Sequence, residues 1–315
     1  MKTGKGTGFG KVILFGEHFV VYGLPGIASG VSDTTEAVVE EGAKGLEFID
    51  NRPETEGYKK TKKEEIEKSL KLILDFMKID IKKTPVKITL SGNLLCTSGI
   101  GASAAMATSI ARAFSDYFGL NLNDEQINRI SYEGEKGAAG TPSGIDNTCA
   151  TFGGLLWFQK NLEGGPNTIE LIKIRKPVEI VLGNTGLSSV TSEVVADVRR
   201  ANVANPAKFR KVFSDYVNTV KEARVALEGY DIKKLGLLMD KNQELLREIG
   251  VSCGEIEKII GTAKKNGALG AKITGTGRGG YVIALTPGKS LQDKVAKAIK
   301  KAGFGVMKTS IGRSQ

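Results

Sequence analysis

Apolar residues recur at two spacings along the chain, and these spacings predict both helices and strands. Ile66, Leu70 and Ile73 fall at the three- and four-residue intervals of a helix with one buried face. Residues 86–90 alternate apolar and polar side chains, as a strand with one buried face does. The pattern predicts strands at 11–15, 20–22, 86–90, 152–158, 178–182, 272–274, 281–285 and 306–309. It predicts helices at 64–77, 102–118, 123–136, 193–201, 209–227, 232–248, 255–266 and 291–302.

A change of character near Ser188 divides the chain. Strands and helices alternate before this residue, and a helix-rich run follows it. We therefore predict two domains, 1–187 and 188–315. Within the first, Asp124 opens the helix over 123–136 and Gly137 is expected beyond its end.

The charge balance raises several classes of partner without choosing among them. The 45 Lys and Arg residues exceed the 35 Asp and Glu residues, which gives a net charge of +10. Such a charge suits nucleic acid, an anionic membrane or a phosphorylated ligand. Aromatic residues make up 6% of the chain and do not interleave with basic runs, so nucleic-acid binding is disfavoured.

Cysteine usage and the apolar segments bear on the compartment. Cys96, Cys149 and Cys253 are far apart and odd in number, which favours neither a disulfide framework nor a zinc site. A reducing compartment, the cytoplasm, fits best. Residues 1–10 lack the apolar core of a secretory signal. Residues 91–111 are uncharged but crowded with Gly, Ser and Thr, so a loop leading into a buried helix explains them better than a membrane span.

A loop of small residues leads directly into the helix over 102–118. Its glycines allow backbone N–H groups to close on an anion, and the helix adds unpaired N–H donors and the positive end of its dipole. Ser103 would lie in the first turn, where a hydroxyl can reach a phosphate-bound Mg²⁺. A plain turn packed under a helix explains the loop equally well. The sequence lacks the G-x-x-x-x-G-K-[ST] motif, so a phosphate loop here must be of another type.

Two acidic residues form the second candidate site. Glu135 lies near the end of a predicted helix, and Asp146 follows the turn-rich segment Thr141-Pro142-Ser143-Gly144-Ile145. Phosphoryl transfer needs a carboxylate to hold a metal and a group to position or deprotonate the nucleophile. Glu135 and Asp146 can divide these tasks, although each alone is more often a solvated helix residue or a surface turn.

The third candidate site contains the only histidine of the chain. His18 follows Glu17 in a glycine-flanked bend between two predicted strands. A single histidine is more often structural. Lys11, however, enters a buried strand and needs an opposite charge or an anionic ligand to offset its desolvation. We predict Asp146 as that partner.

A glycine run between two strands forms the fourth candidate site. Residues 275–280 match G-x-G-x-x-G, but a strand follows at 281–285 where a dinucleotide-binding fold requires a helix. The motif therefore argues against a nicotinamide site. It predicts a tight glycine hairpin that approaches a ligand or another backbone.

Taken in their order along the chain, these four segments resemble motifs of the GHMP kinases and, within that family, of the mevalonate kinases. The resemblance is greatest to the mevalonate kinases of trypanosomatid parasites. The segment G-K-V-I-L-F-G-E-H-F from Gly10 resembles their opening motif, including the histidine after G-E. The loop G-I-G-A-S-A-A from Gly99 resembles their phosphate loop. Residues Gly134 to Asn147, with G-E at the start and P-S-G-I-D-N at the end, resemble their acidic segment, and K-I-T-G-T-G-R-G-G from Lys272 resembles their last motif.

The resemblance covers essentially the whole chain and implies a fold and a reaction. The expected fold is α+β, the two-domain GHMP kinase fold, with an N-terminal domain like domain 2 of ribosomal protein S5 and a ferredoxin-like, helix-rich C-terminal domain. The expected reaction is ATP-dependent phosphorylation of the 5-hydroxyl of mevalonate in isoprenoid biosynthesis, with Mg²⁺ as the metal. The expected partner is mevalonate, with neither nucleic acid nor a membrane, and a homodimer stays open.

The resemblance also implies a role for individual residues. Asp146 becomes the catalytic base and Lys11 its cationic neighbour. Ser103 and Glu135 become Mg²⁺ ligands, and Glu17, His18 and Thr191 become mevalonate-binding residues. The ATP phosphates would be held by Ser98, Gly99, Ile100, Gly101, Ala102 and Ser103.

Several positions depart from the family pattern, and the substrate is not fixed by fold alone. Ala102 replaces the first serine of the usual pair, Met106 stands where animal enzymes have tyrosine, Ser189 where they have arginine, and Arg278 interrupts the last glycine run. None of these changes removes a proposed chemical residue. Two alternatives stay open: another GHMP kinase acting on a sugar or phosphomevalonate, and a GHMP-fold ligand sensor without catalysis.

Overall fold

The computed structural model describes residues 2–140 and 142–312, and Met1, Thr141 and residues 313–315 lie outside the described residues. The strands are β1 (Thr3–Phe15), β2 (Gly26–Glu41), β3 (Leu46–Asp50), β4 (Val86–Gly92), β5 (Leu155–Gln159), β6 (Thr168–Ile172), β7 (Val178–Asn184), β8 (Gly270–Thr274), β9 (Tyr281–Leu285) and β10 (Gly305–Ile311). The helices are α1 (Tyr58–Thr61), α2 (Lys63–Met77), α3 (Ala102–Phe118), α4 (Asp124–Ala139), α5 (Ile145–Phe152), α6 (Thr191–Ala204), α7 (Pro206–Glu228), α8 (Ile232–Glu248), α9 (Gly254–Lys265) and α10 (Lys289–Lys301).

Most predicted elements are confirmed, but the strand at 20–22 is wrong. Residues Val20–Tyr22 form one turn of 3₁₀ helix between Gly16 and Gly23, both of which have positive φ. Glycine at these positions allows the chain to turn twice within eight residues, which leaves no room for extended backbone. Residue 152 also ends a helix, α5, so the predicted strand over 152–158 begins only at Leu155.

The predicted end of the helix after Lys136 is also wrong. Gly137 lies inside α4, which continues to a C-cap at Gly140 with φ 66°. A Cβ atom at Gly137 would lie 2.6 Å from the backbone N of Ser69 in α2. Gly137 is therefore a contact residue that allows two helix backbones to approach, and not a stop signal.

The described residues divide into two compact units. Unit 1 comprises residues 1–11 and 30–153, and unit 2 comprises 12–29 and 154–315. This division by contacts differs from the sequence-based one, which kept 12–29 and 154–187 with the first domain. The domain boundary near Ser188 stays a prediction.

Unit 1 combines a mixed sheet with helices α2 to α5. β3 runs parallel to β4, with Leu46 opposite Val86, and β4 runs antiparallel to β2, with Gly92 opposite Thr35. Successive side chains of a strand point to opposite faces, and the alternate residues of β4 enter the core. The core side chains include Val39, Ile73, Val86, Ile88, Leu90, Ile110 and Phe114.

Alternate glycines in β1 allow helix α3 to lie directly against the strand. A Cβ atom at Gly4 would lie 2.3 Å from Ala113 O, one at Gly6 would lie 2.1 Å from Ser109 O, and one at Gly8 would lie 2.2 Å from Ala105 O. Any side chain at these three positions would force the two backbones apart. The glycine-rich N-terminal segment is therefore a packing surface that places α3 beside β1.

Unit 2 contains an antiparallel sheet with strand order β10-β7-β9-β8. Ile180 pairs with both Thr309 and Leu285, and Lys272 pairs with Ile283. β5 pairs with β6 and with residues 26–29 of β2. The helices of this unit include α6 to α10, whose apolar faces supply buried residues such as Val198, Leu235, Ile259 and Ile299.

Side chains from α8 cap β8 at the end of this strand order. Asp240 Oδ1 accepts a hydrogen bond from Ala271 N at 2.9 Å, and Gln243 Oε1 accepts one from Ile273 N at 3.0 Å. These two N–H groups belong to alternate residues of the strand, and both find side-chain acceptors. β8 is thus held by β9 on one side and by α8 on the other.

Within residues 2–140 and 142–312, we find no helix with the length and apolar character needed to traverse a bilayer.

Candidate active site

The predicted phosphate loop forms the N-terminus of α3 in unit 1. Gly99 and Gly101 have φ of 96° and 75°, and α3 begins at Ala102. Lys11 N donates a 2.7 Å hydrogen bond to Ile100 O, and a Cβ atom at Gly101 would lie 3.0 Å from Lys11 Cβ. Glycine is therefore required both for the turn and for the close approach of β1. The free N–H groups of the helix start favour an anion here.

Lys11 and Asp146 form the ion pair that the sequence predicted. Lys11 Nζ lies 2.7 Å from Asp146 Oδ1, with the lysine side chain 8% exposed and that of Asp146 35% exposed. Burial lowers the pKa of Lys11, but the Asp146 charge and hydrogen bond more than compensate and hold it above its usual value. Lys11 is therefore charged at neutral pH.

Helix α5, which the sequence analysis read as a turn, positions Asp146. The helix begins at Ile145 after Gly144, whose φ is 89°, and Asp146 occupies its first turn. Thr148 Oγ1 donates to Gly144 O at 2.6 Å. A carboxylate at a helix N-terminus is stabilised by the helix dipole. Asp146 thus combines a defined position with partial access to solvent.

Ser103 and Glu135 form a second contact in unit 1. Ser103 Oγ donates a 2.6 Å hydrogen bond to Glu135 Oε1, and Glu135 is buried. Burial, followed by the charge of Asp146, raises the pKa of Glu135 to about 7, although the Ser103 hydrogen bond and Lys11 act in the opposite direction. Deprotonated Glu135 therefore needs additional positive charge beside it.

These two residues have the right chemistry for Mg²⁺. Hydroxyl and carboxylate oxygens are hard donors, and Mg²⁺ is commonly held by one or two such protein groups together with substrate phosphates. Because Glu135 is buried near the charge of Asp146, a bound cation would stabilise its deprotonated form. Among residues 2–140 and 142–312, no cluster of three or more His, Cys, Asp or Glu side chains could hold a metal by itself.

Arg52 supports the phosphate loop and was missed by the sequence analysis. Its guanidinium forms two hydrogen bonds with Asp50, of 3.0 and 2.7 Å, and donates a third, of 3.0 Å, to Ala102 O in the first turn of α3. The sequence analysis predicted no helix or strand between residues 40 and 56. The structure has strand β3 there, over Leu46–Asp50, and this strand leads to Arg52.

Unit 2 contains the bend with Glu17 and His18. Lys272 Nζ lies 2.5 Å from Glu17 Oε1, and neither side chain is exposed. His18 has a positive φ of 62°, and its Nε2 lies 2.6 Å from Thr276 O. Because a carbonyl only accepts, Nε2 carries the proton in this contact. His18 Nδ1 has no hydrogen-bond partner among the residues that the structure describes.

The glycine run predicted as a hairpin joins β8 to β9, and its backbone approaches other segments of unit 2. A Cβ atom at Gly277 would lie 2.3 Å from Val251 O. Thr191 begins α6, and its Oγ1 lies 2.8 Å from Thr276 Oγ1. Arg278 forms an ion pair with Asp197 of α6. The structure thus brings His18 and Thr191 to the same residue, Thr276.

Comparisons with known proteins agree with this fold and these motifs. The model of the GHMP kinases N terminal domain matches residues 65–154, and that of the GHMP kinases C terminal region matches residues 223–304. The protein is therefore a GHMP kinase, and the α+β two-domain fold expected from the sequence is confirmed.

Comparison with individual proteins identifies the branch of the GHMP kinases to which the chain belongs. The mevalonate kinase of Thermococcus sibiricus is 34% identical over 96% of this chain and 94% of that protein, and that of Pyrococcus furiosus is 35% identical with the same coverage. The crystal structure of L. major mevalonate kinase in complex with R-mevalonate superposes with a TM-score of 0.94 and 39% identity, covering 99% of this chain and 96% of that one. The chain belongs to the mevalonate kinase family.

Proposed function

We propose that this protein transfers the γ-phosphate of ATP to the 5-hydroxyl of mevalonate, as an early step of isoprenoid synthesis. The observation that carries the proposal is the 2.7 Å contact between Lys11 and Asp146 in the unit that also contains the phosphate loop. A carboxylate and an ammonium in contact, beside an anion-binding helix start, are the groups that phosphoryl transfer to a hydroxyl requires.

Asp146 is the proposed base. Its partly exposed carboxylate accepts the proton of the substrate hydroxyl, and Lys11 fixes the orientation of that carboxylate. The Lys11 ammonium also stabilises negative charge on the transferred phosphoryl group. Transfer is direct and in line, so the substrate oxygen gains the phosphoryl group as the bond to the ADP oxygen breaks.

The phosphate loop and its metal ligands hold the donor. Backbone N–H groups of residues 98–103 bind the β- and γ-phosphates at the start of α3. Ser103 and Glu135 are the proposed Mg²⁺ ligands, and Mg²⁺, when bound, neutralises charge on these phosphates. Arg52 holds the first turn of α3 through Ala102 O.

Glu17, His18 and Thr191 are proposed to form the mevalonate site of unit 2: His18 and Thr191 contact the substrate, and Glu17, whose side chain is unexposed, supports them. His18 Nδ1 can accept a hydrogen bond from a substrate hydroxyl, because Nε2 donates to Thr276. Burial, with a further contribution from Arg278, lowers the pKa of His18, which favours the neutral ring that such acceptance needs. Free thiols at Cys96 and Cys149, both buried, support a reducing compartment, and we propose the cytoplasm.

A coupled assay of ADP release tests the proposal. We expect turnover with mevalonate and MgATP and none with galactose, homoserine or phosphomevalonate. Asp146→Asn should lose turnover by a factor of about 10³ to 10⁴ while it still folds and binds ATP. Turnover confined to a sugar would reject the substrate, and near wild-type turnover by Asp146→Asn would reject the base.

A further inference from the structure

A fully buried ion pair underlies the bend that contains His18. The side chains of Lys272 and Glu17 are both without solvent exposure, and they are 255 residues apart in sequence. Lys272 Nζ donates to Glu17 Oε1 and also to Ile273 O. Burying two such charges costs several kcal/mol each before their attraction is counted, and apolar residues of similar volume are often at least as stable. Stability alone therefore does not account for the pair.

The pair belongs to a set of contacts between β8, the loop after it, and residues 13–18. Thr274 Oγ1 accepts a 3.0 Å hydrogen bond from Ile13 N, Lys272 contacts Glu17, and Thr276 O accepts from His18 Nε2 at 2.6 Å. Alternate residues 272, 274 and 276 thus each contact the segment that ends at His18. The segment 13–18 is therefore held at Ile13, at Glu17 and at His18.

His18 depends on this support because its backbone is unfavourable. Its φ of 62° lies in the left-handed region, which costs a non-glycine residue roughly 1 kcal/mol or more. Glu17, the preceding residue, is fixed by Lys272, so the ion pair acts on the peptide that sets this φ. β8 itself is held on both sides, by β9 and by Asp240 and Gln243 of α8.

We propose that Lys272 is a positioning residue for the acceptor substrate: its buried ammonium fixes Glu17 and thereby the bend that directs His18 Nδ1 toward a substrate hydroxyl. This role rests on the proposed function, because it gives His18 the task of binding mevalonate. Lys272 does not touch the substrate. Lys272 neutralises and fixes Glu17, and Glu17 in turn fixes the backbone of His18, which contacts the substrate.

Kinetics of three variants separate positioning from mere stability. Lys272→Met should raise the KM for mevalonate at least tenfold and leave the KM for ATP within twofold. The double variant Glu17→Leu with Lys272→Met replaces the pair by apolar residues and should recover the wild-type melting temperature. Its KM for mevalonate should nevertheless stay raised at least fivefold. Lys308→Met, which removes an exposed lysine of β10, is the matched control and should leave both KM values unchanged.

Recovery of the wild-type KM together with the wild-type melting temperature in the double variant would overturn the proposal, because the pair would then be structural only. Absence of mevalonate turnover in the wild-type protein would instead reject the proposed function. If the wild-type protein shows no mevalonate turnover, the positioning role of Lys272 can still be tested by NMR, which needs no activity.

His18 is the only histidine, so its ring gives a single, assignable NMR signal in protein freed of any tag. Mevalonate should shift this signal in the wild-type protein. In Lys272→Met the signal should be displaced before mevalonate is added, and the mevalonate-induced shift should require at least tenfold more ligand. Should Lys272→Met not fold, Glu17→Gln, which keeps the acceptor oxygen but removes the charge, should displace the signal in its place. A signal at the wild-type position in the folded variant would refute the role of Lys272.

Discussion

Each unit contains a lysine in contact with a carboxylate, and the two pairs differ in burial. The Asp146 side chain is 35% exposed, whereas Glu17 and Lys272 are entirely buried. An exposed carboxylate can meet a substrate and exchange a proton, but a carboxylate closed off with its counter-ion can only hold structure. The proposed function therefore gives the pair in unit 1 a chemical task, and the proposed role of Lys272 gives the pair in unit 2 a positioning task.

The largest expected effect concerns stability in unit 2. Lys272→Met leaves the Glu17 carboxylate buried without its partner cation, and breaking a buried pair in this way costs about 3 to 5 kcal/mol. We expect the free energy of unfolding to fall by that amount in urea denaturation. The double variant with Glu17→Leu should return to within about 1 kcal/mol of the wild-type value. If Lys272→Met were as stable as the wild type, the Lys272–Glu17 pair would not differ from the Lys11–Asp146 pair in its contribution to stability.

The opposite pattern is expected in unit 1. Lys11→Met should lower kcat by a factor of about 10² to 10³, because the ammonium stabilises charge during transfer. Its free energy of unfolding should change by about 1 kcal/mol or less, since water can solvate the partly exposed Asp146. Steady-state kinetics and urea denaturation measure the two quantities. Lys5→Met, at an exposed residue of the same strand, should change neither.

The glycine face of β1 offers a test of how unit 1 positions its site. Gly6→Ala would place a Cβ atom 2.1 Å from Ser109 O, so the backbone of α3 must move. We expect a loss of about 1 to 3 kcal/mol in the free energy of unfolding, and a lower kcat as the helix start shifts away from Lys11. Gly261→Ala in α9, where the added atom meets open space, should instead gain about 0.5 to 1 kcal/mol.

The smallest effect is the titration of His18. Burial, with the nearby Arg278 charge, lowers its pKa, so its NMR signal should titrate with a midpoint below the ordinary value of about 6.5. Because the folded state disfavours the charged ring, this residue contributes stability above about pH 6.5 that is lost as the pH falls toward the folded-state pKa. His18→Asn should abolish that part of the pH dependence. A titration midpoint above 6.5 would contradict the expectation that burial lowers the pKa of His18.

Local sequence signals sufficed for the elements with strong apolar periodicity and clear end signals. Helices α3 and α8 and strand β9 have the predicted bounds, because their apolar periodicity is strong and their ends are marked by residues such as Gly119 and Asp231. The pairing of Lys11 with Asp146 was also predicted, since a buried lysine requires a counter-charge. Where a single local rule dominates, the sequence is enough.

Elements that depend on distant partners were missed. β2 contains Gly, Ser, Asp and Thr residues that suggest turns, yet pairing with β4 and β5 makes it the longest strand among the described residues. The segment before Asp146 suggested a turn, but Gly144 serves as the N-cap of α5. Lys272 meets Glu17 across 255 residues, and no local pattern specifies such a contact.

The capping of β8 by α8 has a consequence for the behaviour of the protein in concentrated solution. A last strand with open N–H groups is a template on which a second molecule can add its own strand, and such addition begins aggregation. Asp240 and Gln243 occupy two of those donors with side chains of the same molecule. These two N–H groups of β8 are therefore not available to pair with a strand of a second molecule.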